Sequence, residues 1–176
     1  PLCPRRPRLT EQTSICLSRS PAPRPVRVAL LRTPNNPLSA MALAAFADKK
    51  YKLASSDKFD DYMKALGVSF VTRQVGNQVS PVVTLSIDGD KYTLSSVSTF
   101  KTSTISFKLG EPFDQDTPDG RKVKATITLE GDNTLVEQQE GGGKTTKIVR
   151  EFSPNEIKMV LTVDSIVCTR IYKLQE

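Results

Sequence analysis

The chain has 176 residues, 25 basic against 19 acidic side chains, and no histidine. That length supports one domain with a sizeable core and falls short of two ordinary ones. The missing histidine excludes Ser-His-Asp and Cys-His catalysis and most zinc sites, so neither catalytic residues nor a bound metal or cofactor are expected.

Residues 1–40 hold seven arginines (Arg5, Arg6, Arg8, Arg19, Arg24, Arg27, Arg32), one acid (Glu11) and eight of the twelve prolines, which accounts for the whole net charge of +6. The remainder balances 18 basic against 18 acidic residues. A segment so rich in Pro and Arg buries too little apolar surface to fold. Residues 1–43 are therefore expected to be a disordered basic extension and residues 44–176 the folded domain. Met41 is expected to be the native initiator, with a targeting segment and a basic interaction arm as the other readings of what precedes it. Cys3 and Cys16 lie in the extension, leaving Cys168 alone in the folded part, a pattern suited to a reducing, cytoplasmic compartment. No apolar run approaches the roughly 20 residues of a membrane span.

Tyr51, Leu53 and Ala54 open a short strand-like run. Ser55, Ser56 and Asp57 then offer capping chemistry ahead of Phe59, Tyr62, Met63 and Leu66, whose spacing is helical and amphipathic. Gly67 stands where a helix C-cap is expected, and a second helical stretch is predicted over 70–75. The pair is too small to be a core and suits a lid. A DNA-reading role is discounted because the surrounding domain is neutral and Asp60 and Asp61 sit on the first helix.

Beyond Pro81 the texture changes to short β-branched runs at 82–87, 92–100, 105–109, 123–129, 135–139, 145–152, 157–163 and 166–174. Asp88-Gly89, Asp119-Gly120, Glu130-Gly131 and Gly141-Gly142-Gly143 punctuate them. Asp-Gly between alternating runs is a hairpin signal, and no helix is long enough for a βαβ crossover. About ten strands in an antiparallel meander are predicted, closing on themselves to remove their edges. Polar residues on both faces (Thr93, Ser95, Ser98, Thr126, Thr128, Gln138, Thr145, Thr146) suit a barrel enclosing a partly wet cavity better than a solid sandwich. The glycine run before Lys144 lacks the upstream glycine of a phosphate loop and joins two strands. Asp60-Asp61 and Asp114/Asp116 read as solvated surface, and Cys168 as a small core residue.

Arg170 and Tyr172 stand two residues apart in the last run and so share one face, while Arg150 repeats the pattern in an earlier one. Two guanidinium forks and a phenol on one interior face make a receptor for a carboxylate; the alternative is that the arginines point outward into solvent.

Lys49-Lys50-Tyr51-Lys52-Leu53 with Phe59-Asp60-Asp61-Tyr62-Met63, the stretch 66–74, Ser98-Thr99-Phe100-Lys101, Phe107-Lys108-Leu109-Gly110, Phe113-Asp114, Asp119-Gly120-Arg121-Lys122-Val123 and Cys168-Thr169-Arg170-Ile171-Tyr172 together resemble the intracellular lipid-binding proteins, the fatty-acid-binding protein family, in its heart-type and invertebrate branch. The resemblance implies an all-β fold: a ten-stranded antiparallel up-and-down barrel of the lipocalin-like, calycin type, capped by a helix-turn-helix lid. It further implies a monomeric, non-enzymatic cytoplasmic carrier of one long-chain fatty acid, with nuclear entry open to it, in transient contact with membranes and with no nucleic-acid partner. The carboxylate would be held by Arg150, Arg170 and Tyr172, and the portal and cavity lined by Phe59, Tyr62, Met63, Phe100 and Asp119. A retinoic acid carrier is the close alternative, and a membrane-surface adaptor using Lys58, Lys64 and the extension is the other. The sequence departs from the family's pattern at Tyr51, where Trp is usual, and at Lys58, where Asn is usual.

Overall fold

The computed structural model describes residues 37–175, so the expectations for 1–36 lie outside the described residues. A short helix, α1 (Pro37–Ala44), comes first, and Leu43 near its end is fully buried in the core, one residue ahead of the expected domain boundary. Phe46 then packs on Phe152 with ring centroids 6.0 Å apart.

Ten antiparallel strands follow: β1 (Lys50–Asp57), β2 (Val82–Asp88), β3 (Lys91–Val97), β4 (Thr102–Phe107), β5 (Pro112–Asp116), β6 (Lys122–Glu130), β7 (Thr134–Gly141), β8 (Lys144–Phe152), β9 (Glu156–Val163) and β10 (Ile166–Leu174). Their order, β4-β3-β2-β1-β10-β9-β8-β7-β6-β5, is an up-and-down meander nearly closed into a barrel, with β1 joining the last strand to the first hairpin. Period-two burial runs through it: Val123, Ala125, Ile127 and Leu129 on β6 and Ile157, Met159, Leu161 and Val163 on β9 face inward, with their neighbours outward. The ladder is missing between β4 and β5. Across that gap Tyr92, Phe107 and Phe113 stack, with centroids 5.7 and 5.9 Å apart, so aromatic packing stands in for hydrogen bonds.

Strand β5 is absent from the predicted runs. It opens on Pro112 and carries Asp114 and Asp116, composition that marks an edge strand and hides its type. Tyr51 fills the position where the family resemblance leads one to expect Trp; it is fully buried, and its hydroxyl donates to the Ser153 carbonyl at 3.3 Å.

The two lid helices are α2 (Phe59–Ala65) and α3 (Phe70–Gln78). Ser55, Ser56 and Asp57 do not cap α2, contrary to expectation: after a bulge between Leu53 and Ser55 they stay in β1, opposite Ile171, Arg170 and Thr169. The cap position falls to Lys58, which adopts a left-handed conformation (φ 55°) and makes no side-chain cap bond. An L-residue with a long side chain is strained there, whereas Asn tolerates it and can cap. Lys58→Asn is expected to raise the unfolding free energy by about 0.5–1 kcal/mol, read from thermal unfolding.

Gly67 ends α2 as predicted, at φ 79°, with the Gly67 N–H donating to the Lys64 carbonyl and the Val68 N–H to that of Met63. Ser69 caps α3, accepting from the Thr72 N–H at 3.3 Å. The helix outruns its predicted end and passes through Gly76, where a Cβ would come within 3.1 Å of the Met63 sulfur. The bare glycine lets the two helices meet. Asp60, expected to be merely solvated, ties them together by accepting from Arg73 Nε at 3.2 Å and Asn77 Nδ2 at 3.1 Å.

Candidate functional site

The register of three neighbouring strands builds the floor of the site. Met159 on β9 pairs with Arg170 on β10 and with Arg150 on β8, so the three side chains form one row on the inner face. Tyr172 stands one inward step further along β10. Arg150 is 9% exposed, Arg170 7% and Tyr172 2%, which places all three inside the barrel and removes the outward-facing alternative.

Beside them opens a cavity of about 250 Å³. The residues expected to hold the carboxylate and to form the portal all line it: Arg150, Arg170 and Tyr172 from the strands, Phe59, Tyr62 and Met63 from α2, Phe100 from the β3–β4 turn and Asp119 from the β5–β6 turn. Much of the remaining wall is apolar, including Val83, Leu94, Ile105, Ile148 and Leu161. Two turns frame the mouth. Lys101 Nζ donates to the Pro118 carbonyl at 3.0 Å, linking them, and Phe100 is largely exposed. Burial by itself would raise the Asp119 carboxyl, but hydrogen bonds from Arg121 and Thr117 and the guanidinium charge outweigh it and hold the group below its ordinary value.

The two arginines are in different states. The Arg170 guanidinium lies 4.0 Å from the Phe59 ring centroid and 5.6 Å from that of Tyr172, and its buried Nε has no hydrogen-bond partner. Aromatic faces stabilise the cation without supplying an oxygen acceptor, so that Nε–H is left unpaired beside the cavity that Arg170 lines. Arg150 Nη1 lies 2.6 Å from Glu137 Oε2, an ion-pair contact off the line of its N–H bonds. Burial drives the Tyr172 phenol above its ordinary pKa against the opposing pull of Arg170 and Arg150, and burial likewise raises that of Tyr62. Both hydroxyls keep their protons and remain donors. Burial also pushes the Cys168 thiol up to about 11, the behaviour of an inert core residue.

Sequence reasoning missed the polar cluster behind Arg150. Glu137 is fully buried, Gln139 Nε2 donates to its Oε1 at 2.6 Å, and the same amide reaches Gln115 Oε1 at 3.4 Å. Gln138, one of the polar residues noted on the two strand faces, is exposed. The signal was present: Leu135, Glu137 and Gln139 alternate in step, so a buried Leu135 carries both polar residues inward with it.

A model of the lipocalin / cytosolic fatty-acid binding protein family matches residues 49–175. The chain belongs to that family. Among relatives, the muscle fatty acid-binding protein of Schistocerca gregaria is 49% identical over 131 residues, spanning 74% of this chain and 97% of its own. Two solved members share the barrel. The fatty acid-binding protein from brain tissue of Drosophila melanogaster is 55% identical, with a TM-score of 0.69, and the match covers 73% of this chain and 98% of that one. That of Schistosoma mansoni, solved in complex with arachidonic acid, is 41% identical with a TM-score of 0.74, covering 77% of this chain and 99% of the other. Among the described residues no helix is long and apolar enough to cross a membrane.

Proposed function

We propose that this family member is a non-enzymatic intracellular carrier that encloses one long-chain fatty acid, with the carboxylate on Arg170 and Tyr172 beside Arg150 and the chain along the apolar wall. The observation that carries this reading is the buried Arg170 Nε, without a hydrogen-bond partner, at the floor of a cavity walled mainly by apolar side chains. A buried cation with free donors costs stability unless an anion completes it, and a single carboxylate does so. Phe59, Tyr62, Met63, Phe100 and Asp119 form the portal. The protein acts as a monomer in the cytoplasm, and the exposed Phe70 and Val71 of α3 are the lid's contacts with a membrane surface during transfer.

The energetics are adequate. Burying about 15 methylenes at roughly 0.8 kcal/mol each yields on the order of 12 kcal/mol, of which association and ordering remove several. What remains, on the order of 8 kcal/mol, corresponds to about micromolar binding. The arginines then act mainly in selecting acids over neutral lipids.

Titrating oleate and all-trans retinoic acid against a fluorescent fatty-acid probe bound to the delipidated protein tests the proposal. Oleate is expected to displace the probe at micromolar concentration or below. Displacement by retinoic acid alone would transfer the site to retinoids, and displacement by neither would end the carrier reading.

A further inference from the structure

The interior of the barrel carries an unequal set of charges. Arg150 and Arg170 are both buried, yet one carboxylate, Glu137, faces one of them. Glu137 belongs to the wall behind the cavity rather than to its lining. It sits opposite Ile148 in the β7–β8 ladder and reaches diagonally to Arg150, while Gln139, anchored in turn on Gln115, donates to its other oxygen. The side chain is completely buried, and its two contacts hold it in one orientation. At the mouth, Asp119 and Arg121 neutralise each other, and Lys101 is exposed to solvent. Among the described residues one buried positive charge, that of Arg170, is left without an ionic counterpart.

We infer that Glu137 sets the charge of the ligand. By neutralising Arg150 it leaves the cavity a deficit of one negative charge, so the site accepts lipids with monoanionic headgroups and rejects dianionic ones such as phosphate monoesters. The physical basis is that a second negative charge brought into a low-dielectric interior finds its cation already occupied, and meets the Glu137 carboxylate instead. Selectivity comes from a repulsive group placed behind an attractive one. This inference rests on the carrier reading and deepens it: Glu137 is a specificity-determining residue that acts through Arg150.

Three ligands with the same chain separate charge from shape. Palmitate and hexadecyl sulfate are monoanions. Hexadecyl phosphate has the tetrahedral headgroup of the sulfate and is mostly a dianion at pH 8, since the second phosphate pKa is about 6. Dissociation constants would be measured by displacement of a fluorescent fatty acid from the full chain, the probe's own affinity being determined for each variant. The wild type is expected to prefer the sulfate to the phosphate. In Glu137→Gln, which keeps an oxygen for Gln139, the phosphate is expected to gain about tenfold relative to the sulfate. In Glu137→Gln/Arg150→Gln, which returns the interior to a single uncompensated cation, the preference is expected to come back to within about twofold of wild type. A sulfate-to-phosphate ratio in Glu137→Gln that stays within about twofold of wild type overturns the inference. Should the single variant fail to fold, the double variant carries the test, and a ratio departing from wild type overturns it equally. Failure of palmitate to bind the wild type sinks the carrier reading and this inference together; palmitate binding with an unmoved ratio sinks this inference alone.

Discussion

Arg170→Gln lowers the affinity for oleate by about 1.5–3 kcal/mol, roughly ten- to a hundredfold, while leaving the apo barrel at least as stable as the wild type. The two halves of that result have one cause. In the ligand-free protein Arg170 is a buried cation held by the faces of Phe59 and Tyr172, with Nε unpartnered, and replacing it with a neutral amide removes an electrostatic burden. In the proposed complex the same cation would complete the carboxylate, and a glutamine would offer a weaker, uncharged donor. Probe displacement by oleate and a urea unfolding midpoint, taken on the same preparations, read the two halves. Unchanged affinity would show that Arg170 does not bear the headgroup; a large fall in stability would show that the arginine is structural.

Arg150→Leu acts in the opposite sense and destabilises the apo protein by about 3–5 kcal/mol. Glu137 is fully buried and relies on Arg150, 2.6 Å away, for its counter-charge; Gln139 supplies only a neutral donor. Removing the cation strands a carboxylate in the interior. Leucine contributes apolar contacts that do not offset this, because the penalty falls on Glu137 and not on the volume lost. Glu137→Leu/Arg150→Leu is then expected to recover most of the loss, since substituting both members of a buried pair by apolar groups is often neutral or favourable. Urea denaturation of the two variants and the wild type checks the order. A double variant no more stable than the single one would mean that Arg150 stabilises through packing and not through its pairing with Glu137.

Together the substitutions distinguish two arginines that look equivalent in the sequence. Arg150 stands two residues from Ile148 and Phe152, and Arg170 two from Cys168 and Tyr172, and that shared strand face carries both inward. What the spacing does not contain is the identity of each partner, because Glu137 lies on a third strand and Phe59 on a helix, brought together by the β7–β8–β9–β10 register and by the lid.

Local composition was enough to specify the strand texture, the turns at Asp-Gly and Gly-Gly, the end of α2 at Gly67 and the inward face of β10, because each depends on neighbours within a few residues and on backbone preferences that short segments express alone. Long-range contacts set the rest. Ser55–Asp57 have the chemistry of a helix cap, yet pairing with β10 holds them in a strand, at the expense of a strained Lys58. Strand β5 carries little local signal and exists through its ladder with β6 and the stacking of Phe113 on Phe107. The charge state of the cavity is likewise a property of the closed barrel: an acid spaced among apolar residues reads as inward, but whether it opposes a cation depends on the register of strands far apart in the chain, and in this fold that register places Glu137 against Arg150 and leaves the Arg170 Nε without a hydrogen-bond partner.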